Sequence, residues 1–198
     1  MEGGALFEFY KSCSTIGSMY NQPLATMLVA AKERFPFRGL AEINLVISHR
    51  RRVSLNKRCQ KEAFERLAPK EYLELLAQPS SAANAPQDMI LWLGFPLIAV
   101  LDGISKIGIY NSQQLEVMGW DESTVSLRCS EGGREYKVAK GFVSQNCRPG
   151  FCVTYSSCQG RTCFGTVCLW DTSGPRFSRR HLVMGMSRAT SGGKVWLA

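Results

Sequence analysis

Three groups of polar residues near the end of the chain have the types and spacing to handle a phosphate. Thr154 follows the apolar stretch Phe151-Cys152-Val153, Gln159-Gly160-Arg161-Thr162 comes one short turn later, and Ser187-Arg188 closes an arginine-rich segment. From Pro149 to Ala198 the pattern predicts strand, short helical turn, strand, helix and strand. Small polar groups then lie at the carboxyl end of one strand and an arginine at the end of a helix. Open α/β domains bind nucleotides at strand ends of that kind. The Thr154 hydroxyl would cap the turn or touch a phosphate, and the two roles are compatible. A Gln-Gly pair also makes an ordinary turn. Arg188 complements a helix carboxyl terminus. A fixed guanidinium there would equally serve as an arginine finger on a transferred phosphoryl group, a role for which lysine is a poor substitute. The chain contains no G-x-x-x-x-G-K-[ST] phosphate loop. The tail therefore looks like half of an ATP site.

A second chemistry-bearing stretch is basic. Ser48-His49 ends the apolar run Ile43–Ile47, and Arg50, Arg51, Arg52, Lys57, Arg58, Lys61, Arg66 and Lys70 then face only Glu62 and Glu65 before Pro69. A solvated helix face accounts for some of these cations, but their density exceeds what solubility needs. The expectation is a phosphate-contacting face centred on the triple arginine at a strand-to-helix junction. A net charge of +8, from 24 Lys+Arg against 16 Asp+Glu, favours a polyanionic partner, nucleic acid before membrane.

The elements that must position these residues are legible in outline. A short helix is expected over Ala5–Cys13, and a second after Pro23, with Leu24, Met27, Leu28 and Ala31 on one face and Pro36 as its stop. Ile43–Ile47 reads as a buried strand and the basic stretch as a helix to about Leu67. Gln78–Gln87, with Pro-Ser-Ser-Ala-Ala-Asn-Ala-Pro, reads as a linker. Short strands follow at Phe95–Leu101, Ile107–Tyr110, Gln114–Trp120, Val125–Cys129 and Glu135–Val138, with turns between them and strand pattern again near Phe142. That suggests a small antiparallel barrel. In the tail, a strand spans Phe164–Trp170, and Ser178 caps a helix whose core face holds Leu182 and Met186.

Eight cysteines exclude little by themselves. A disulfide scaffold is unneeded in a chain 45% hydrophobic. Zinc is disfavoured, because Cys147, Cys152, Cys158, Cys163 and Cys168 form no C-x-x-C pair and His49 and His181 lie outside them. Free thiols in a reducing, intracellular setting, nucleus or cytoplasm, fit best. The longest apolar run, Met89–Leu101, is broken by Gly94 and Pro96 and too short for a bilayer span, so no membrane partner is expected.

These residues also resemble a family. Phe151-Cys-Val-Thr-Tyr-Ser-Ser-Cys-Gln-Gly-Arg-Thr162 resembles the fifth motif of superfamily 1 helicases of the RecD-like branch, T-x-H-K-S-Q-G-x-T. Arg180-His-Leu-Val-Met-Gly-Met-Ser-Arg-Ala-Thr190 resembles the sixth, Y-V-A-L-S-R. Leu45–His49 through Asn56 resembles the block that opens the second motor domain. Gly94-Phe-Pro-Leu-Ile-Ala-Val with Ile109-Tyr110-Asn111 resembles the barrel insertion, G-x-P-V then V-N-G. Ser156-Ser157 replaces the usual His-Lys pair, and Ser112 the usual glycine after the barrel asparagine.

The resemblance implies a RecA-like α/β fold with a mostly parallel sheet and a small antiparallel barrel insertion. Residues 1–88 and 146–198 would form the motor domain and 89–145 the insertion. It implies that Arg188 reaches the γ-phosphate and that Gln159, Gly160, Thr162 and Ser187 lie by the nucleotide. Single-stranded DNA would run over Ser48, His49, Arg50, Arg51, Arg52, Asn56, Thr154 and Ser156. The phosphate cradle and the magnesium carboxylate have no counterpart in these 198 residues. ATP and Mg would be held mainly by a P-loop-containing first motor domain, in the same parent protein or in trans, and the chain alone is expected to hydrolyse ATP very poorly. The competing reading is a non-enzymatic single-stranded nucleic-acid-binding or accessory protein that keeps the helicase fold without ATPase.

Overall fold

The computed structural model describes residues 14, 16–77, 86–159, 162–163, 165–190 and 192–198. The helix expected over Ala5–Cys13 lies outside them, as does the expected linker apart from Pro86 and Gln87. The chain divides into two compact units, residues 1–52 with 152–198 and residues 53–151. The unit containing the β-rich segment is thus wider than the span 89–145 read from turn signals.

In the first unit, Pro23 precedes helix α1 (Leu24–Arg34), which buries Met27 and Ala31 and ends where the Phe35 N–H bonds the Ala31 carbonyl. Strand β1 (Ile43–Val46) leads into helix α2 (His49–Leu67), of which residues 49–52 belong to this unit. After the second unit the chain returns through β9 (Cys152–Thr154), a single 3-10 turn over Ser156–Cys158, β10 (Val167–Leu169), helix α4 (Arg179–Met186) and β11 (Val195–Leu197). The four strands form a wholly parallel sheet in the order β11-β10-β1-β9. Each is short and almost wholly buried, the signature of a sheet covered on both faces. Helix α4 starts from a capping box, in which the Ser178 hydroxyl accepts the His181 N–H and His181 Nδ1 accepts the Ser178 N–H. Gly185 has no room for a side chain, since a Cβ there would lie 2.8 Å from Leu169 Cδ2 and 3.1 Å from Tyr155 Cε1. It lets α4 settle onto the sheet.

The second unit is antiparallel. Strands β2 (Leu73–Leu75) and β3 (Met89–Leu91) pair as a ribbon that the sequence reading did not foresee. Strands β4 (Pro96–Ala99), β5 (Gln114–Trp120), β6 (Thr124–Cys129), β7 (Glu135–Ala139) and β8 (Cys147–Pro149) form a second sheet in the order β7-β6-β5-β4-β8. Phe142, expected in a strand, lies in helix α3 (Lys140–Asn146), which buries the consecutive pair Val143 and Ser144 rather than alternate residues. Ile107–Tyr110 is a loop, closed by an isolated bridge between Ile104 and Tyr110. Trp92, Phe95 and Phe151 form an aromatic core in which Phe95 stands edge-to-face to the other two, and Phe64 packs on Trp92 with tilted rings. The chain is therefore α/β, with a parallel sheet in one unit and antiparallel strands in the other.

Candidate functional site

The first unit gathers polar residues at the carboxyl ends of its strands because all four strands point the same way. The chain leaving β1 next enters this sheet at β9 on one side, whereas β10 continues to β11 on the other. Neighbours that send their chains in opposite directions open a crevice between them, and in this sheet that crevice lies between the ends of β1 and β10.

Asp171 occupies it. Its Oδ2 accepts the Ile47 N–H at 2.9 Å, and its Oδ1 lies 3.8 Å from Arg51 Nε. The Arg51 guanidinium carbon sits 5.7 Å from the centroid of the Trp170 ring, whose Nε1 donates to Asn44 Oδ1 at 2.9 Å. Asp171 adopts φ 64, a left-handed conformation that aspartate tolerates better than most residues. Neither Trp170 nor Asp171 was picked out from sequence. The signal was available: a polar residue directly after a buried strand, the reasoning that selected Thr154.

The predicted residues sort around this crevice. Ser48 caps α2, its hydroxyl accepting the Arg51 N–H at 3.2 Å. His49 is half-buried in the first turn. The triple arginine splits three ways. Arg50 is exposed, Arg51 is held by Asp171 and Trp170, and Arg52 is 0% exposed. Burial lowers the Arg52 pKa, an effect opposed by neighbouring Cys152. Arg52 is thus enclosed by the fold, whereas Arg50 stands at the surface. Asn56 belongs to the second unit, where it is buried and its Nδ2 lies 3.4 Å from Gln87 Oε1.

Thr154 is 2% exposed. Its Oγ1 lies 3.0 Å from Ser156 Oγ, donates to Ser157 Oγ at 3.0 Å and accepts the Ser157 N–H at 3.3 Å. Of the two roles open to it, this is the capping one. Ser156 is the exposed member of the turn.

The second group of predicted residues lies at the other end of α4. There Arg188 Nε donates to the Met184 carbonyl at 3.2 Å and Nη2 to Ser187 Oγ at 3.1 Å. The Cys163 N–H bonds the Arg188 carbonyl at 2.7 Å, and Cys163 bridges Ala189. Exposed Thr162 is thereby brought beside the Ser187-Arg188 turn. Gln159 is exposed after the 3-10 turn, while Gly160 lies outside the described residues. Cys158 Sγ, 3.6 Å from Met184 Sδ, ties that turn to the last turn of α4. The guanidinium with the Thr162 hydroxyl beside it is a donor pair suited to a phosphate, while the Ser187 hydroxyl donates to the Met184 carbonyl at 2.9 Å. Among the described residues no group of three or more His, Cys, Asp or Glu side chains is placed to hold a metal, and no helix is long and apolar enough to cross a membrane.

Nearly the whole chain resembles about half of several solved helicases. Against a structure of two coordinating Pif1 helicases unwinding forked duplex DNA, identity is 16% and the TM-score 0.62, over 96% of this chain and 46% of that one. Against Bacteroides Pif1 bound to single-stranded DNA the values are 15% and 0.63, over 96% and 48%. Against Pif1 from Candida albicans they are 12% and 0.58, over 96% and 53%. No protein-family model and no curated protein matches the chain. At such identities the shared property is the fold, an α/β arrangement also found in about half of each Pif1 helicase chain.

Proposed function

We propose that the chain is the second, C-terminal motor half of an ATP-dependent superfamily 1 DNA helicase of the RecD-like branch. The observation that carries this reading is the fold match of 96% of the chain to about half of a Pif1 helicase crystallised on single-stranded DNA. The arrangement of the first unit supports it. Ser48, Arg50, Ser156 and the Arg51–Asp171 pair belong to the carboxyl ends of the strands, where single-stranded DNA would run. Ser187, Arg188 and Thr162 sit at the far end of α4, facing a nucleotide held by a separate P-loop domain. Residues 1–52 and 152–198 are then the motor wall, and residues 53–151 an insertion within it.

ATP hydrolysis, with magnesium bound by the P-loop half, would supply the free energy. This chain's part is electrostatic. Arg188, fixed by Met184 and Ser187, holds a guanidinium ready for charge that develops on a phosphoryl group, so that little reorganisation is needed at that moment. The Cys158–Met184 contact gives the Ser156–Cys158 turn a route of coupling to Arg188, since a shift of that turn pushes on the residue that accepts the Arg188 hydrogen bond.

The test is complementation. The pure chain should bind oligo-dT with steep salt dependence and show negligible ATPase, and adding a P-loop-containing first motor domain should produce DNA-stimulated turnover. Salt-sensitive oligo-dT binding with no turnover in any such pairing would favour the non-enzymatic accessory protein.

A further inference from the structure

Among the described residues of the first unit, Phe37 is an exposed aromatic residue whose ring is packed against another ring. It is 49% exposed, yet its ring stands edge-on to Trp170, with centroids 5.4 Å apart and planes at 77°. The backbone just before it is pinned to β11, because Pro36 bridges Leu197 and the Leu197 N–H bonds the Phe35 carbonyl at 3.0 Å. Trp170 is fixed in turn by Asn44 at its indole nitrogen and by Arg51 over its ring, and Arg51 by Asp171. A scattered surface phenylalanine needs no explanation. A phenylalanine backed by a tryptophan, a stacked arginine and an ion pair is a rigid flat surface.

We propose that Phe37, supported by Trp170 and Arg51, is a stacking platform for a base of single-stranded nucleic acid at the carboxyl end of the parallel sheet. This inference rests on the single-strand binding proposed above and adds the contact that engages a base rather than a phosphate. Charge complementarity selects the occupant. Exposed Arg38 follows Phe37 in the chain and exposed Arg50 precedes Arg51, so the segments that carry the ring and its support each carry a further exposed cation. One aromatic face among arginines suits a base and its phosphates, which combine stacking with backbone attraction. It is far too small for a protein partner, whose stable interfaces need about 800 Å² from each side. The Asp171 carboxylate, paired with Arg51, assigns that arginine to supporting the ring and leaves Arg38 and Arg50 for the backbone.

Phe37→Ala and Phe37→Trp chains, checked for native circular dichroism, are titrated by fluorescence anisotropy with oligo-dT and with an abasic oligomer of equal length. The platform predicts an affinity loss for oligo-dT of about tenfold in Phe37→Ala, recovery in Phe37→Trp, unchanged abasic binding and an unchanged salt slope. Equal oligo-dT binding by wild type and Phe37→Ala overturns the platform alone. Equal weakening on both oligomers, or a Phe37 dependence seen with AMP but not with oligo-dT, overturns it too. A folded wild-type chain that binds neither oligomer overturns the proposed function and the platform together.

Discussion

The two compact units spend their polar residues differently. In the antiparallel unit, charges are paired across neighbouring strands or absorbed in turns. Arg128 meets Glu116 at 2.8 Å across β5 and β6, and Lys137 meets Asp121 at 3.0 Å. Asp121 is held below the ordinary carboxylate range by the Thr124 hydroxyl first, then by Lys137 and the N–H groups of Ser123 and Thr124. In the parallel unit the strands hold almost nothing but buried apolar residues, and the polar groups collect where the strands stop. Parallel strands share a direction, so one edge of the sheet receives every outgoing loop, whereas an antiparallel sheet divides its loops between two edges. That contrast places the candidate site in the parallel unit.

Packing tests the contrast most strongly. Gly185→Ala should destabilise the parallel unit by about 1–3 kcal/mol, because buried Leu169 leaves the new methyl nowhere to go, and should displace Arg188 with the helix. In the antiparallel unit Gly132, at φ 77 with open space around it, should cost only about 1 kcal/mol as alanine, for backbone reasons alone. Urea denaturation of both variants checks the difference, and equal losses would remove it.

Asp171→Ala should cost about 1–2 kcal/mol, since the Ile47 N–H loses its acceptor and Arg51 its partner. Asp171→Asn should cost less, because asparagine tolerates the left-handed conformation and still offers an oxygen. Glu116→Gln, which breaks a half-exposed surface pair, should cost less than about 1 kcal/mol. A larger loss at Glu116 than at Asp171 would invert the comparison.

Within the triple arginine, Arg50→Ala should weaken oligonucleotide binding a few-fold and reduce the log–log salt slope by about one. Arg52→Met should leave the slope unchanged and act on thermal stability instead. Binding isotherms at several salt concentrations separate the two.

The smallest effect is pH-dependent. Burial, then the neighbouring Arg180, lowers the His181 pKa below its ordinary 6.5. The unfolded chain therefore binds the proton more readily, and stability rises with pH across that interval. The capping box should contribute fully above about pH 6.5 and fade as pH falls from there through the lowered folded value, because a protonated Nδ1 cannot accept the Ser178 N–H. Melting curves of wild type and His181→Gln should converge at acid pH.

How much of this was legible varied with the physics of each segment. Strand β5 matched its reading residue for residue, since alternation and turn signals are local. The Ser178 cap and the helix stop before Pro36 were local as well. Phe142 misled because one aromatic residue carries no period. The ribbon of β2 and β3 escaped because its strands are three residues each and far apart in sequence. At the site, charge count alone could not separate Arg50, Arg51 and Arg52, because helix rotation decides which of three consecutive side chains turns inward. Trp170 and Asp171 were passed over because their role depends on β10 lying beside β1, a pairing across more than a hundred residues.

The most direct test of the central claim uses the reconstituted pair of this chain with a P-loop motor domain. Single-turnover ATP hydrolysis and oligo-dT affinity are measured for wild type, Arg188→Ala and Arg188→Lys. An arginine finger predicts that both substitutions lower the hydrolysis rate by about 10³-fold or more while oligo-dT affinity stays within about twofold, a margin of roughly 0.4 kcal/mol. Hydrolysis that survives either substitution at near wild-type rate would contradict it.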